Sequence, residues 1–364
     1  MTGGSKKMPV FRALGIICIL LCFMHLYAIR MYDLVSLGRS NQKLTSSGHR
    51  HMYMFPHNIT SLQQLHDIDV GTTPVPSDLS IVFVGDSVTR YQYISLAFFL
   101  KFGNWIYHNS TVNLNEITQS APAMGMIWKH SESTLHEWFN YSNSILSPYE
   151  QCDCIDPPQG NYREFGVKSL ENRYFWHPSA NNSVVYLQKF GYKNNWNKPL
   201  TFKSTGNVSA INECRKRGAS AVGYRRGGDV VYRSEDWISF IRDFVSELRP
   251  RPQFFIFNQG LWNHDDFLNQ SFQKEVVDTI SDVGMISVYK TTTRWKTAGS
   301  EGAIMDIYER EICDIVDLCF DLSWTWLVPG FLFADRAHFL EPVYTWFNIQ
   351  LLGLLQGYMY NEPD

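Results

Sequence analysis

Residues 79–85 (LSIVFVG) form a continuously apolar run rich in β-branched side chains, which predicts a strand buried on both faces. A helical pattern follows at 91–102, so this region predicts a strand, a tight turn and a helix. Further helix patterns lie at 234–248, 272–283, 304–312 and 344–358, and further strand patterns at 184–190, 252–260 and 285–290. This alternation predicts an α/β domain in which a parallel sheet lies between two layers of helices.

An uncharged apolar segment at 13–29 (ALGIICILLCFMHLYAI) just reaches the length of a membrane-spanning helix. Basic residues precede it, so the positive-inside rule predicts a cytosolic tail at 1–12 and a lumenal chain beyond residue 29. A cleaved signal peptide is the alternative, although bulky Tyr27 and Ile29 stand where small residues would mark a cleavage site. The polar residues 30–78 then form a stem, and 79–364 form the main domain.

The length of 364 residues and the 45% hydrophobic content are sufficient for one large domain with a sizeable core. The net charge is only −3, and the basic residues are interspersed with acidic ones. Nucleic-acid binding needs clustered basic residues, so no polynucleotide partner is expected.

Seven cysteines and six glycosylation sequons indicate in which cellular compartment the main domain lies. Five cysteines follow the apolar segment and would lie in the lumen, where disulfides persist: Cys152, Cys154, Cys214, Cys313 and Cys319. The Cys152-x-Cys154 pair could bind a metal, but no second pair at suitable spacing follows it, so disulfide use is favoured and no metal site is expected. The sequons are typical of a lumenal surface and lie at Asn58, Asn109, Asn140, Asn181, Asn207 and Asn269.

Ser87 follows the first predicted strand in the tripeptide GDS. Open α/β sheets place their sites at the carboxyl edge of the strands, and a serine on a strand-to-helix turn has an exposed hydroxyl beside a helix N-terminus. The alternative is that these residues merely cap the helix.

Asp335 and His338 lie three residues apart in FADRAHFLEP, near the end of the chain. A serine hydroxyl needs a base to take its proton, and the imidazole needs a carboxylate to fix its tautomer, so this pair could activate Ser87. A surface loop or a helix start is the structural alternative.

These blocks together resemble the SGNH/GDSL superfamily, in particular its PC-esterase and trichome-birefringence-like branch of glycan O-acetyltransferases and esterases. The resemblance is carried by GDSVTR at 85–90, FFIFNQGLWN at 254–263 and the D-x-x-H pair, in that order, whereas 104–250 matches nothing in that branch. It implies a three-layer α/β/α SGNH-like domain. That branch carries Cys and Trp around the D-x-x-H pair, whereas this chain has Arg336, Ala337 and Phe339, which leaves subfamily and substrate open.

The resemblance also implies roles. Ser87 would form an acyl-enzyme, His338 would act as base and then acid, and Asp335 would orient it. The oxyanion and the substrate would be held by the Ser87 N–H with further help from Arg90, Asn258, Gly260 and Asn263. Arg90 could instead pair with Asp86, Asn258 could simply end a strand, and Gly103 and Gly125 are the candidates for a further oxyanion glycine.

Three other polar or aromatic segments have weaker claims. His264, Asp265 and Asp266 are adjacent on one loop, where side chains rarely converge on one ion, so a solvated loop is favoured. KTTTRWK at 290–296 could bind an anionic or sugar substrate, or form a polar loop. The aromatic-rich 162–177 could stack on a carbohydrate or pack in the core.

The expected function is that of a type II single-pass Golgi or ER membrane protein whose lumenal domain acts on acyl esters. O-acetyl transfer to a glycan or polysaccharide through an acyl-serine is favoured, with acetyl-CoA or another acetyl ester as the donor co-substrate and no bound cofactor. Hydrolysis of the same esters, a lipase-type esterase with long-chain substrates and a non-catalytic glycan-binding protein are the alternatives.

Overall fold

The computed structural model describes residues 74–105, 142–155, 170–188, 200–201, 231–232, 237–258, 269–293 and 309–359. All of them belong to one compact unit, Tyr53–Asp364. The predicted tail and apolar segment and most of the predicted stem lie outside the described residues. Among the helices that are described, none is long and apolar enough to span a bilayer.

A seven-stranded sheet forms the centre of this unit, with the strand order β2-β3-β4-β1-β7-β8-β9. Its strands are β1 (Ser80–Gly85), β2 (Glu150–Ile155), β3 (Leu170–His177), β4 (Asn182–Gln188), β7 (Phe254–Phe257), β8 (Ile286–Lys290) and β9 (Leu318–Phe320). A separate small ladder joins β5 (Leu200–Thr201) and β6 (Val231–Tyr232). The predicted α/β class is confirmed.

The sequence predicted a parallel sheet, but the sheet in the structure is mixed. The strands β4, β1, β7, β8 and β9 run parallel to one another. At one edge, β2 and β3 pair antiparallel with each other, and β3 pairs antiparallel with β4. A short turn is enough to join antiparallel strands, so β3 and β4 need no crossover helix between them.

Helices pack on both faces of the sheet. Helix α1 (Ser87–Phe102) and helix α3 (Glu341–Met359) share one apolar core with Ile81, Phe83 and Ile256. Helix α2 (Gln270–Asp282) shares the opposite core with Val82, Val84 and Phe257. Alternate residues of β1 and β7 thus enter opposite cores, which explains why these two strands are apolar without interruption.

The segment predicted as a helix at 234–248 also packs in the second core, but its helix is irregular. An α-helical turn at Trp237–Ser239 is followed by a π-helix at Phe240–Phe244 and a 3₁₀ turn at Val245–Glu247. Trp237, Phe240 and Ile241 are fully or almost fully buried. Packing of these side chains, rather than a regular amphipathic period, holds the segment against the sheet.

A disulfide joins Cys313 and Cys319, whose Cα atoms are 5.0 Å apart. It connects the helical turn at 309–313 to β9 at the edge of the sheet. These two cysteines therefore form a disulfide, which is the use that the sequence favoured for cysteines after the apolar segment.

Candidate active site

Ser87 is the first residue of α1 and stands immediately after the turn that ends β1. Asp86 caps the helix: its carboxylate accepts hydrogen bonds from the N–H groups of Val88 (3.0 Å) and Thr89 (3.3 Å). Tyr186 fixes the same turn by donating its hydroxyl to the carbonyl of Asp86 at 3.1 Å. Because Asp86 is the cap, the Ser87 hydroxyl is not used for capping.

The Asp335–His338 loop is a tight turn closed by its own backbone. Phe333 and Phe339 form a short antiparallel bridge and pack their buried rings 4.4 Å apart. Within the loop, one carboxylate oxygen of Asp335 accepts from the N–H groups of Ala337 and His338, both at 2.8 Å. The apolar bridge and the aspartate together fix the loop geometry from which the imidazole projects.

The structure brings Ser87 and His338 together, with Oγ 2.6 Å from Nε2 across 251 positions of sequence. The other ring nitrogen, Nδ1, is 2.7 Å from the second carboxylate oxygen of Asp335. An ionised carboxylate can only accept, so Nδ1 carries the proton and Nε2 is left to accept from the Ser87 hydroxyl. This is the arrangement in which a serine can be deprotonated as it attacks.

The electrostatics of Asp335 agree with that assignment. Partial burial opposes ionisation of the carboxyl group, but the hydrogen bonds from His338 and Ala337 outweigh it and hold the pKa of Asp335 well below its usual value. Asp335 is therefore an anion at neutral pH, and its charge would stabilise an imidazolium at His338.

Arg90 forms a buried ion pair, with Nη1 3.1 Å from a carboxylate oxygen of Glu171 on β3. Burial alone would lower the pKa of Arg90, but the Glu171 carboxylate raises it above its usual value, so the guanidinium remains charged. The sequence suggested Asp86 as an ion-pair partner for Arg90, whereas the ion pair that the structure describes is with Glu171. Arg90 also lies over the ring of Tyr91, 4.7 Å from its centroid.

Glu171 belongs to a larger buried network that ties α1 to the antiparallel edge of the sheet. Arg173 donates to Glu171 through Nε and lies 3.0 Å from Glu150 through Nη1. Glu150 also accepts from the hydroxyl of Tyr93, one turn beyond Arg90 on α1, at 2.8 Å. Both arginines therefore have carboxylate partners, as buried charges require.

Asn258 follows β7, and its backbone N–H donates to the carbonyl of Val84, which places it beside Gly85. The side chain is buried, and its Oδ1 accepts from the hydroxyl of Thr89 at 3.0 Å. A Cβ built on Gly85 would lie 2.3 Å from that oxygen, so only glycine fits there. Asn258 is therefore packed against the turn that carries Ser87.

The remaining residues predicted for the site are placed differently or not described. Gly103 ends α1 in the left-handed conformation, about 24 Å along a 16-residue helix from Ser87, so it is not an oxyanion glycine. Gly260, Asn263 and Gly125, and the rival cluster of His264, Asp265 and Asp266, lie outside the described residues. Among the residues that are described, no group of three or more His, Cys, Asp and Glu side chains could hold a metal.

Two weaker candidates are described in part, and their described residues are buried. Lys290 is the last residue of β8 and is fully buried, so it does not face solvent as a loop residue would. Tyr174 and Phe175, from the aromatic-rich segment, lie in β3 and pack in the cores.

Three polar residues near the site were not singled out from the sequence. They are Thr89, Glu171 and Arg173, and each has a partner that is distant along the chain. Nothing local marks such a residue, so no pattern within its own segment could have found it.

Comparisons of the chain with protein-family models, with curated proteins and with solved structures found no match. The assignment of a function therefore depends on the geometry of Ser87, His338 and Asp335.

Proposed function

We propose that this chain is a serine-dependent acyl-ester enzyme with an SGNH-like fold, in which Ser87 is the nucleophile, His338 the general base and Asp335 its orienting partner. The observation that carries the proposal is the 2.6 Å contact between Ser87 Oγ and His338 Nε2, continued by the 2.7 Å contact from Nδ1 to Asp335. Serine, imidazole and carboxylate connected in this order form the arrangement that activates a hydroxyl for nucleophilic catalysis.

In the first half-reaction, Ser87 Oγ attacks the carbonyl carbon of an acyl donor as its proton passes to His338 Nε2. The resulting oxyanion is held by the Ser87 N–H at the start of α1 and by the amide of Asn258. When the tetrahedral intermediate collapses, the donor's leaving alcohol or thiol takes the proton from His338, and the acyl group stays on Ser87. In the second half, a hydroxyl or water attacks the acyl-serine, His338 removes the proton of the attacking group, and it returns that proton to Ser87 as the ester bond breaks.

The proposed reaction is transfer of an acetyl group to a glycan hydroxyl, with hydrolysis of the same acyl-serine as the alternative. Both use the same intermediate, and they differ only in whether a sugar hydroxyl or water resolves it. The proposed location is the Golgi or ER lumen, with the 13–29 segment as a type II anchor. The Cys313–Cys319 disulfide supports an oxidising compartment, and the described sequon residues Asn181 and Asn269 are exposed, as glycosylation requires.

The first test is covalent labelling of the full-length protein with a fluorophosphonate probe, followed by mass spectrometry to locate the adduct. We expect labelling at Ser87 and none in Ser87→Ala. Ser179→Ala is a matched control, because Ser179 also contacts an imidazole, that of His177 at 3.0 Å, but lies in an exposed turn. A folded wild-type protein that is not labelled, or equal labelling of Ser87→Ala, would overturn the proposal.

The second test separates transfer from hydrolysis. Full-length protein is incubated with an acetyl donor, acetyl-CoA or an acetyl ester, with and without glycan acceptors, and products are analysed by mass. Transfer adds about 42 Da to the acceptor, the mass of an acetyl group less the hydrogen atom that it replaces. Release of acetate at the same rate with and without acceptor would indicate hydrolysis.

A further inference from the structure

A buried chain of hydrogen bonds runs beneath the serine turn and joins three elements of the fold. Lys290 at the end of β8 donates from Nζ to Thr89 Oγ1 on α1 at 3.0 Å. Thr89 Oγ1 in turn donates to Asn258 Oδ1 at the end of β7, also at 3.0 Å. All three side chains are buried, Lys290 completely.

The chemistry of the three groups sets the direction of donation in these two hydrogen bonds. A protonated lysine has only donors, so the Thr89 oxygen must accept from it. The single hydroxyl proton of Thr89 then points at Asn258, and it requires an acceptor there. The Asn258 amide must therefore turn its oxygen to Thr89 and its nitrogen away. Among the described residues, none accepts from that nitrogen, so its two N–H donors remain available at the sheet edge where Ser87 stands.

We infer that Lys290 is a positioning residue, which acts through Thr89 to fix the direction in which Asn258 presents its amide N–H groups to the acyl oxygen of the substrate. The inference rests on the proposed function, because it needs an oxyanion at this edge of the sheet. An amide free to rotate by half a turn would offer its oxygen to the developing negative charge half of the time. A fixed amide is an oxyanion donor that needs no reorganisation during the reaction.

The surroundings of Lys290 fit this role. Burial lowers the pKa of Lys290 to about 8, although the Asp86 carboxylate in the serine turn opposes the shift. The ring of Phe347 on α3 lies 5.8 Å from Nζ. Among the described groups around the ammonium group, the Thr89 hydroxyl is neutral and the Asp86 carboxylate is the charge that acts on Lys290. The lysine is thus charged at neutral pH and begins to lose its proton near pH 8.

The test is a double-mutant cycle on the full-length protein, read as kcat and KM on an acetyl ester. We expect Lys290→Met and Thr89→Val each to lower kcat by about 10-fold with little change in KM, because the lost interaction acts mainly on the transition state. Thr89→Ser, which keeps the hydroxyl, should restore most of the rate. Asn258→Ala should lower kcat by roughly 10²-fold, and adding Lys290→Met or Thr89→Val to it should cost nothing further.

Two readouts distinguish positioning from a merely structural role. In wild type, kcat should fall above pH 8 as Lys290 loses its proton, and this alkaline decline should be missing in Lys290→Met. The exposed Lys274→Met on α2 is the control and should match wild type. Equal losses from Lys290→Met with and without Asn258→Ala, or an unchanged alkaline decline, would overturn the inference.

Failure of the proposed function is recognised separately. If wild type proves to have no esterase or transferase activity, the side-chain amide resonance of Asn258 is measured in protein labelled with ¹⁵N-asparagine and assigned by Asn258→Ala. A shift of that resonance in both Lys290→Met and Thr89→Val would show that Lys290 and Thr89 orient the Asn258 amide, whether or not the protein is an enzyme. An unmoved resonance would overturn the inference.

Discussion

The ring of Tyr91 meets the imidazole of His338 edge-on, with 5.2 Å between their centroids and 81° between their planes. Tyr91 is buried and lies on α1 one turn beyond Ser87, so a single helix supplies both the proposed nucleophile and a wall for the proposed base. The imidazole is thus held by Ser87 at Nε2, by Asp335 at Nδ1 and by Tyr91 at its side. A base held on three sides needs little reorganisation when it accepts a proton.

Replacement of Asp335 by asparagine tests the tautomer assignment. The new side chain would be a neutral amide with a donor in place of the carboxylate, so Asp335→Asn can stabilise the wrong tautomer of His338, with Nε2 protonated and unable to accept from Ser87. We expect kcat on an acetyl ester to fall by roughly 10³–10⁴-fold with the fold intact. Asp282→Asn, at an exposed position on α2, is the matched control and should be indistinguishable from wild type. Similar rates for the two variants would contradict the assignment.

Gly85→Ala tests the close packing at the end of β1. The added Cβ would fall 2.3 Å from Asn258 Oδ1 and 2.6 Å from Thr89 Oγ1, so one of these side chains must move. We expect activity to be lost and the free energy of unfolding to fall by about 1–3 kcal/mol, measured by urea titration. Gly353→Ala meets no atom within 4 Å in the exposed face of α3 and should leave activity unchanged while raising stability by up to about 1 kcal/mol. Equal behaviour of the two variants would show that the turn tolerates a side chain at position 85.

Arg173→Leu tests the buried charge network. It removes a guanidinium that is completely buried and leaves the Glu150 carboxylate without that partner. We expect a loss of about 3–5 kcal/mol in the free energy of unfolding, because a buried charge without its partner is strongly unfavourable. Arg242→Leu is the control, since its pair with Asp282 is exposed and 3.9 Å long, and it should change stability by less than about 0.5 kcal/mol. A small effect of Arg173→Leu would mean that the network contributes little.

Glu341→Gln tests a buried carboxyl group at the start of α3. Burial raises the pKa of Glu341 from 4.5 to about 8, so the folded protein holds a proton there that the unfolded chain releases. This proton binding stabilises the fold fully below pH 4.5, and the contribution is lost as the pH rises through 8. The Glu341→Gln variant lacks this pH dependence. Between pH 4.5 and 8, its free energy of unfolding relative to wild type should therefore rise with pH, by up to about 1.4 kcal/mol per pH unit.

That prediction is measured by urea unfolding of wild type and variant at several pH values across this range. Glu275→Gln, at an exposed position on α2, serves as the control, and its stability should run parallel to that of wild type. A Glu341→Gln profile that also ran parallel to wild type would show that Glu341 is ionised in the folded protein.

Local sequence patterns determined the elements that position Ser87. The apolar run at 79–85 gives a strand because both faces of the sheet are covered, and the GDS turn with the following helical pattern gives the start of α1. The strand and helix patterns around 252–290 and the helix near the end of the chain were predicted for the same reason. Hydrophobic period depends on neighbours two to four positions away, which a single sequence displays directly.

Other parts of the fold depended on partners far away in the sequence. The strands β2 and β3 lie in the part of the chain without a recognisable pattern, and β3 carries Glu171 and Arg173 in a fully buried position. From sequence alone, charged residues of this kind are predicted to lie on the surface, because they are buried only where a network of partners neutralises them. The pairing of Arg90 with Glu171 was missed for the same reason.

The sequence alone determined which residue types stand at the ends of β1, β7 and the Asp335–His338 loop, and therefore which chemistry is available. Only the tertiary structure decided that the loop reaches Ser87, that Asp86 rather than Ser87 caps α1, and that Lys290 points inward to Thr89. These contacts follow from strand order and from the packing of α1 and α3 on one face of the sheet. Strand order and helix packing are properties of the whole chain, and no local segment carries them.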